Sequence, residues 1–192
     1  MKKVLLAVIC LFISSVVNAD FECAYSPLQV RVAYARSRAD IQDLIDRGIN
    51  MEEEAKCGGS LLQLAVRRGD PGVLSAILQQ DVTRVNNLER LDAFPISGVT
   101  GKIPLLLFAG YYAPNKEIIR VLLDFGASIT ATDDKGRNIL WYMQHNPVLH
   151  NTDLYDKLNE QILYSLAKKT EVSSDTASSA TPKSNKLVTE VE

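Results

Sequence analysis

The sequence predicts an all-α fold, a solenoid of about four stacked helix–turn–helix repeats with finger loops between them. Three observations carry that prediction. Lys116-Glu117-Ile118-Ile119-Arg120-Val121-Leu122-Leu123-Asp124-Phe125-Gly126-Ala127 has the pattern of an amphipathic helix closed by a glycine. Leu44-Ile45-Asp46-Arg47-Gly48-Ile49 and Ile77-Leu78-Gln79-Gln80-Asp81-Val82 repeat its ending, 33 residues apart, and a helix ending that recurs at this period marks stacked repeats. Breakers such as Gly69-Asp70-Pro71 stand between the apolar segments. Solenoids bind other macromolecules over an extended face, so a binding protein is the expectation and an enzyme the exception.

The chain opens as an export signal. Lys2 and Lys3 precede the apolar run Val4–Ile13, and Val17-Asn18-Ala19 reads as a small-residue cleavage site, so the mature protein is expected to begin at Asp20 in the periplasm. The run is too short for a membrane-spanning helix. Its removal takes away two lysines and no acidic residue, so the net charge moves from −2 to −4. That balance argues against a nucleic-acid binder, which needs a basic stripe. Cys23 and Cys57 remain, and an even count in an oxidising compartment points to a disulfide, with two unrelated thiols as the alternative.

After a short N-terminal segment, residues 20–27, the repeat domain is expected over 28–169. Its first helix pair is Leu28–Arg36 and Ala39–Arg47, followed by the polar stretch 49–58 with Glu52-Glu53-Glu54. Ser60–Arg68 and Gly72–Gln80 form the second pair, with Pro71 suited to a helix's first turn. Residues 82–100 are long and mixed, and a projecting loop is expected over 83–100. The third pair is Pro104–Tyr111 and Asn115–Phe125, and the fourth Asn138–His145 and Asp153–Lys168. Residues 171–192 are rich in serine and threonine without an apolar period and read as a disordered tail.

At this level of detail the chain resembles the ankyrin-repeat family. Gly59-Ser60-Leu61-Leu62-Gln63-Leu64-Ala65-Val66-Arg67-Arg68-Gly69-Asp70 is similar to the family's inner-helix pattern. Gly101-Lys102-Ile103-Pro104-Leu105-Leu106 keeps its proline and leucine, and Asp133-Asp134-Lys135-Gly136-Arg137-Asn138-Ile139-Leu140 keeps the aspartate and glycine of the finger turn. Phe125-Gly126-Ala127 matches the end of the outer helix. The resemblance implies that Leu105 and Leu140 point into the stack. The chain departs from the family pattern at Gln63, Leu106 and Trp141, which replace the motif histidine, at Asp81, which replaces the outer-helix glycine, and in the long junction between the second and third repeats.

No nucleophile elbow, zinc-protease helix, phosphate-binding glycine loop or Cys-x-x-Cys motif occurs. Ser165-Leu166-Ala167-Lys168 fits a Ser-x-x-Lys pattern without its companion motifs and reads as helix surface. His145 and His150 read as solvated loop residues, and Arg67 and Arg68 as cations suited to a helix C-terminus. No catalytic residue, cofactor or metal is expected. The partner-binding candidates are Glu52, Glu53 and Glu54, an acidic run that would suit a basic partner surface, and the aromatics Tyr111, Tyr112 and Trp141. Core packing is the competing role for Trp141 and Tyr142, whereas Tyr111 and Tyr112 flank an extra pair of residues in the third repeat, around Tyr111 to Asn115, and are expected to be more exposed.

The expected function is periplasmic protein binding. Small exported ankyrin proteins of this form are similar to immunity proteins that neutralise antibacterial effectors of type VI secretion, phospholipases among them. A periplasmic scaffold for envelope or oxidative-stress resistance and a secreted host-directed effector are the alternatives.

Overall fold

A computed structural model describes residues 27–48, 59–92 and 94–177. The described part is mainly α-helical, with one two-stranded sheet. Its elements are α1 (Pro27–Tyr34), α2 (Arg38–Asp46), α3 (Leu61–Arg68), α4 (Pro71–Leu78), a 3-10 turn (Val82–Asn86), β1 (Leu88–Arg90), β2 (Lys102–Pro104), α5 (Leu105–Tyr112), α6 (Lys116–Asp124), α7 (Ile139–Gln144) and α8 (Asp153–Ala177).

The helices pack in two rows. α1, α3, α5 and α7 lie against one another in sequence, and α2, α4 and α6 form a second row behind them. Local chemistry starts each helix. Ser60 and Gln63 form a reciprocal capping box on α3, Asp70 accepts from the Val73 amide with Pro71 in the first turn of α4, and Asn115 caps α6 through the Ile118 amide. One short helix cannot bury a whole apolar stripe, and stacking makes the core continuous. Leu62, Val66, Leu74, Leu78, Leu105, Phe108, Ile118, Leu122 and Tyr142 form its centre.

The turns between rows repeat one device. The Asn115 side chain donates from Nδ2 to the Gly69 carbonyl at 2.7 Å, and Asn146 Nδ2 donates to the Ala113 carbonyl at 2.9 Å. Each amide therefore ties its own turn to that of the preceding pair, satisfying a carbonyl that the helix end leaves open. Gly69 sits at φ +78, and a Cβ there would lie 2.1 Å from Pro114 Cγ. Both the left-handed backbone and the close approach require glycine. Along the first row, Gly110 lets α7 approach α5, since a Cβ would stand 2.5 Å from Ile139 Cδ1.

Three expectations need correction. Residues 83–100 do not project as a free loop. They begin with a 3-10 turn and enter a hairpin in which Leu88, Glu89 and Arg90 pair antiparallel with Pro104, Ile103 and Lys102. The hairpin's tip folds back on the first row, burying Leu91, Phe94, Ile96 and Val99. Leu105 is fully buried as expected, but Leu140 is only partly so, because Ile139, Tyr142 and Met143 take the core-facing positions of α7. The last helix runs to Ala177, into the segment read as a tail. The export signal, Cys23, Cys57, Glu52–Glu54 and residues 178–192 lie outside the described residues.

Two departures from the family pattern acquire a physical role. Gln63 is buried, and its Nε2 donates to the Arg90 carbonyl, so it braces α3 against the hairpin of the next pair. Asp81 caps the 3-10 turn by accepting from the Thr83 amide and hydroxyl. Those bonds hold its carboxyl below the ordinary carboxylate range.

Candidate functional site

The hairpin tip and the C-terminal ends of the first-row helices build a continuous aromatic ridge. Phe94 packs against Phe108 and Tyr112 at ring-centroid distances of 5.9 and 6.2 Å. Tyr112 meets Tyr111 edge-on at 4.9 Å. Tyr111 stacks on the His145 imidazole at 6.5 Å, which in turn lies 4.2 Å from Trp141. The α-helical spacing explains the last pair, since positions four apart share a face. His145 Nδ1 lies 2.8 Å from the Trp141 carbonyl oxygen. Only a protonated Nδ1 makes that bond, so Nε2 is left as the ring's free nitrogen.

Two arginines rest on the rings. The Arg67 guanidinium lies 4.4 Å from the Phe94 centroid and 5.6 Å from that of Tyr112. Arg137 lies 4.2 Å from the centroid of Trp141. Both fit the attraction of a cation to a ring face.

The ridge is supported from beneath by Asp133, whose side chain is fully buried. It accepts from the Lys135 and Arg137 amides at 2.9 Å each, from Arg137 Nε at 2.6 Å and from the Tyr142 hydroxyl at 2.7 Å. Burial works against its charge, but the bonds from Tyr142, Arg137 and Lys135 outweigh it and hold the carboxyl below its usual range. Burial, and then the Asp133 carboxylate, push the Tyr142 hydroxyl above the ordinary phenol range. The same turn holds the hairpin tip, which lies as a strap across the first row: Lys135 Nζ and Arg137 Nη1 donate to the Gly98 carbonyl at 2.9 and 3.2 Å, and from α5 the Tyr112 hydroxyl donates to the Pro95 carbonyl at 2.6 Å. Desolvation, with the neighbouring Tyr111, raises the Tyr112 hydroxyl.

The structure thus brings Tyr111, Tyr112 and Trp141 together in one surface, each partly buried against the core. Tyr142, the other aromatic of α7, is wholly in the core. Sequence reasoning missed four contributors. Arg67 and His145 had sufficient local explanations as a helix-end cation and a loop histidine. Phe94 belonged to a segment with no periodic signal, and Arg137 sat inside a turn motif.

No protein-family model matches this chain, and no curated protein matches it.

The remaining surface offers less. An open cleft between α1 and α2 is lined by Val30, Tyr34, Ala35 and Leu44 with Arg31, Asp40 and Asp43, and shares no residue with the ridge. Among the described residues no group of three His, Cys, Asp or Glu side chains is placed to hold a metal. No helix among them is long and apolar enough to cross a membrane.

Proposed function

We propose that this chain is an exported ankyrin-type repeat protein that binds another protein through the ridge formed by Tyr111, Tyr112, His145 and Trp141. The observation that carries the reading is the aromatic cluster. Rigid aromatic side chains, partly exposed and locked by their neighbours, lose little conformational entropy on binding and dominate interface energetics. The alternating row packing and the bracing by Gln63 and Asn115 support an ankyrin-type stack.

In its most specific form the proposal is an immunity protein. It would cover the active site or a mobile lid of an antibacterial effector, such as a phospholipase delivered by type VI secretion, and neutralise it by occlusion, with no chemistry from this chain. Export to the periplasm, expected from residues 1–19, supports a target that acts there.

The test is affinity capture with residues 20–192 from lysate and periplasm of the source organism, read by mass spectrometry. Recovery of one stoichiometric hydrolase whose activity falls on mixing is the expected result, and Tyr111→Ala or Trp141→Ala should abolish both capture and inhibition. Recovery of envelope components without a toxin would replace the immunity reading with a scaffold. Undiminished capture by the two variants would move the binding surface away from the ridge.

A further inference from the structure

The ridge has a chemical polarity that narrows its partner. Arg67 is exposed, carries five N–H donors and no acceptor, and makes no hydrogen bond or ion pair with any described residue beyond its seat on the two rings. The Trp141 indole can only donate, and neither it nor the Tyr111 hydroxyl has a hydrogen-bond partner among the described residues. Neither tip is buried either. The carboxylates on this side bear on other groups: the charge of Asp134 acts on Arg137, and Glu89 is buried. Asp133 is buried under Arg137 and Tyr142, and Asp92 pairs with Arg90 at 2.5 Å. A surface with unused donors and an uncompensated cation attracts acceptors of negative charge.

We propose that the ridge takes an acidic, apolar segment of a protein partner, with a carboxylate against Arg67 and apolar side chains across Tyr111 and Trp141. This rests on the reading that the ridge is a protein-binding surface. The partner's sign is opposite to the one that Glu52–Glu54 suggested. An arginine already seated on aromatic faces is partly desolvated and held in place, so a carboxylate bound there gains more than at a fully hydrated side chain. Stacked aromatics beside an arginine also suit single-stranded nucleic acid. A protein partner is favoured because the chain carries a net charge of −2 and the ridge one unpaired cation, where a nucleic-acid backbone calls for a row of them.

The experiment selects short random displayed peptides on the immobilised full chain, then measures resynthesised peptides and a single-stranded oligonucleotide by fluorescence anisotropy. The expected outcome is enrichment of peptides with Asp or Glu beside aromatic or aliphatic residues. Their binding should fall about tenfold in Arg67→Glu, by loss of the pair plus like-charge repulsion, and should weaken with salt. Tyr111→Ala and Trp141→Ala should remove it. Arg67→Gln keeps the apolar stem over Phe94 without the charge; it should weaken acidic peptides, and it decides the matter if Arg67→Glu does not fold. Basic or uncharged peptides that need Tyr111 and Trp141 would overturn the acidic partner and leave the ridge as a binding surface. Peptides indifferent to all these substitutions, or no enrichment at all, would overturn both. Oligonucleotide binding that requires Arg67 and exceeds that of every peptide would overturn the choice of a protein segment.

Discussion

The two faces of this stack handle their polar groups in opposite ways. On the second row, charges are settled within the chain: Arg47 pairs with Asp43 at 2.9 Å, Arg120 with Glu117 at 3.1 Å, and Asp153 at the start of α8 is reached by Lys116, Arg120 and Lys157. The Lys116 bond, above all, holds the Asp153 carboxyl below its usual range. On the first-row side, beyond the exposed Arg90–Asp92 pair, the buried Asp133 carboxylate organises a platform of rings, while the donors of Arg67, Tyr111 and Trp141 have no hydrogen-bond partner among the described residues. Paired surface charges add little stability and present nothing consistent to a partner. Unpaired donors on rigid aromatics do the reverse, and the proposed binding face rests on that contrast.

The largest test of this contrast is Asp133→Ala. It leaves the buried Tyr142 hydroxyl and the Arg137 guanidinium without their acceptor, and should cost about 2–4 kcal/mol in a urea titration. A loss below about 1 kcal/mol would mean that Asp133 does not organise the platform. The dependence on pH has a definite sign. Because the folded-state value of Asp133 is depressed, its stabilisation is complete above the unfolded carboxylate value of about 3.9 and is lost as pH falls through the folded one. Asp133→Asn should therefore flatten the acid limb of the stability profile.

Next is Phe94→Ala, which removes the ring that pins the strap to Phe108 and Tyr112. A cost of about 2–4 kcal/mol is expected, at the lower end if the strap collapses into the gap. Exchange of the amide hydrogens between Leu91 and Val99 should accelerate with it. Tyr112→Phe deletes only the bond to the Pro95 carbonyl and should cost about 1 kcal/mol. Smallest of all is Asp153→Ala, which breaks the exposed ion-pair cluster and should be indistinguishable from the parent protein in the same titration. A clear loss there would break the contrast between the two faces.

Much of the architecture was legible because it is written locally. Ser60, Asp70, Asn115 and Asn138 stand at helix starts where their side chains can cap, and Gly69 and Gly126 stand where chains must turn left-handed. The 33-residue recurrence was visible for the same reason. The strap was not, since strands of three residues carry no usable alternation and their pairing joins residues far apart in the chain. Burial of Phe94, Ile96 and Val99 depends on surfaces supplied by other helices. Half of the candidate site shared that fate. Tyr111, Tyr112 and Trp141 stood out as aromatics at motif positions, but His145 and Arg67 gain their meaning only from what they lie against.

The strap also changes how the molecule should come apart. In a plain stack each helix pair touches only its neighbours, so opening can start at an end and spread pair by pair. Here Gln63 of the second pair holds one end of the hairpin at the Arg90 carbonyl, and Lys135 and Arg137, ahead of the fourth, hold its tip at Gly98. The hairpin leads into the third pair and is bonded to the pairs on both sides of it, which couples three pairs into one cooperative unit. Hydrogen exchange should show α3, α5 and α7 opening together, with a single shared free energy, while α1 and α2 fray below it.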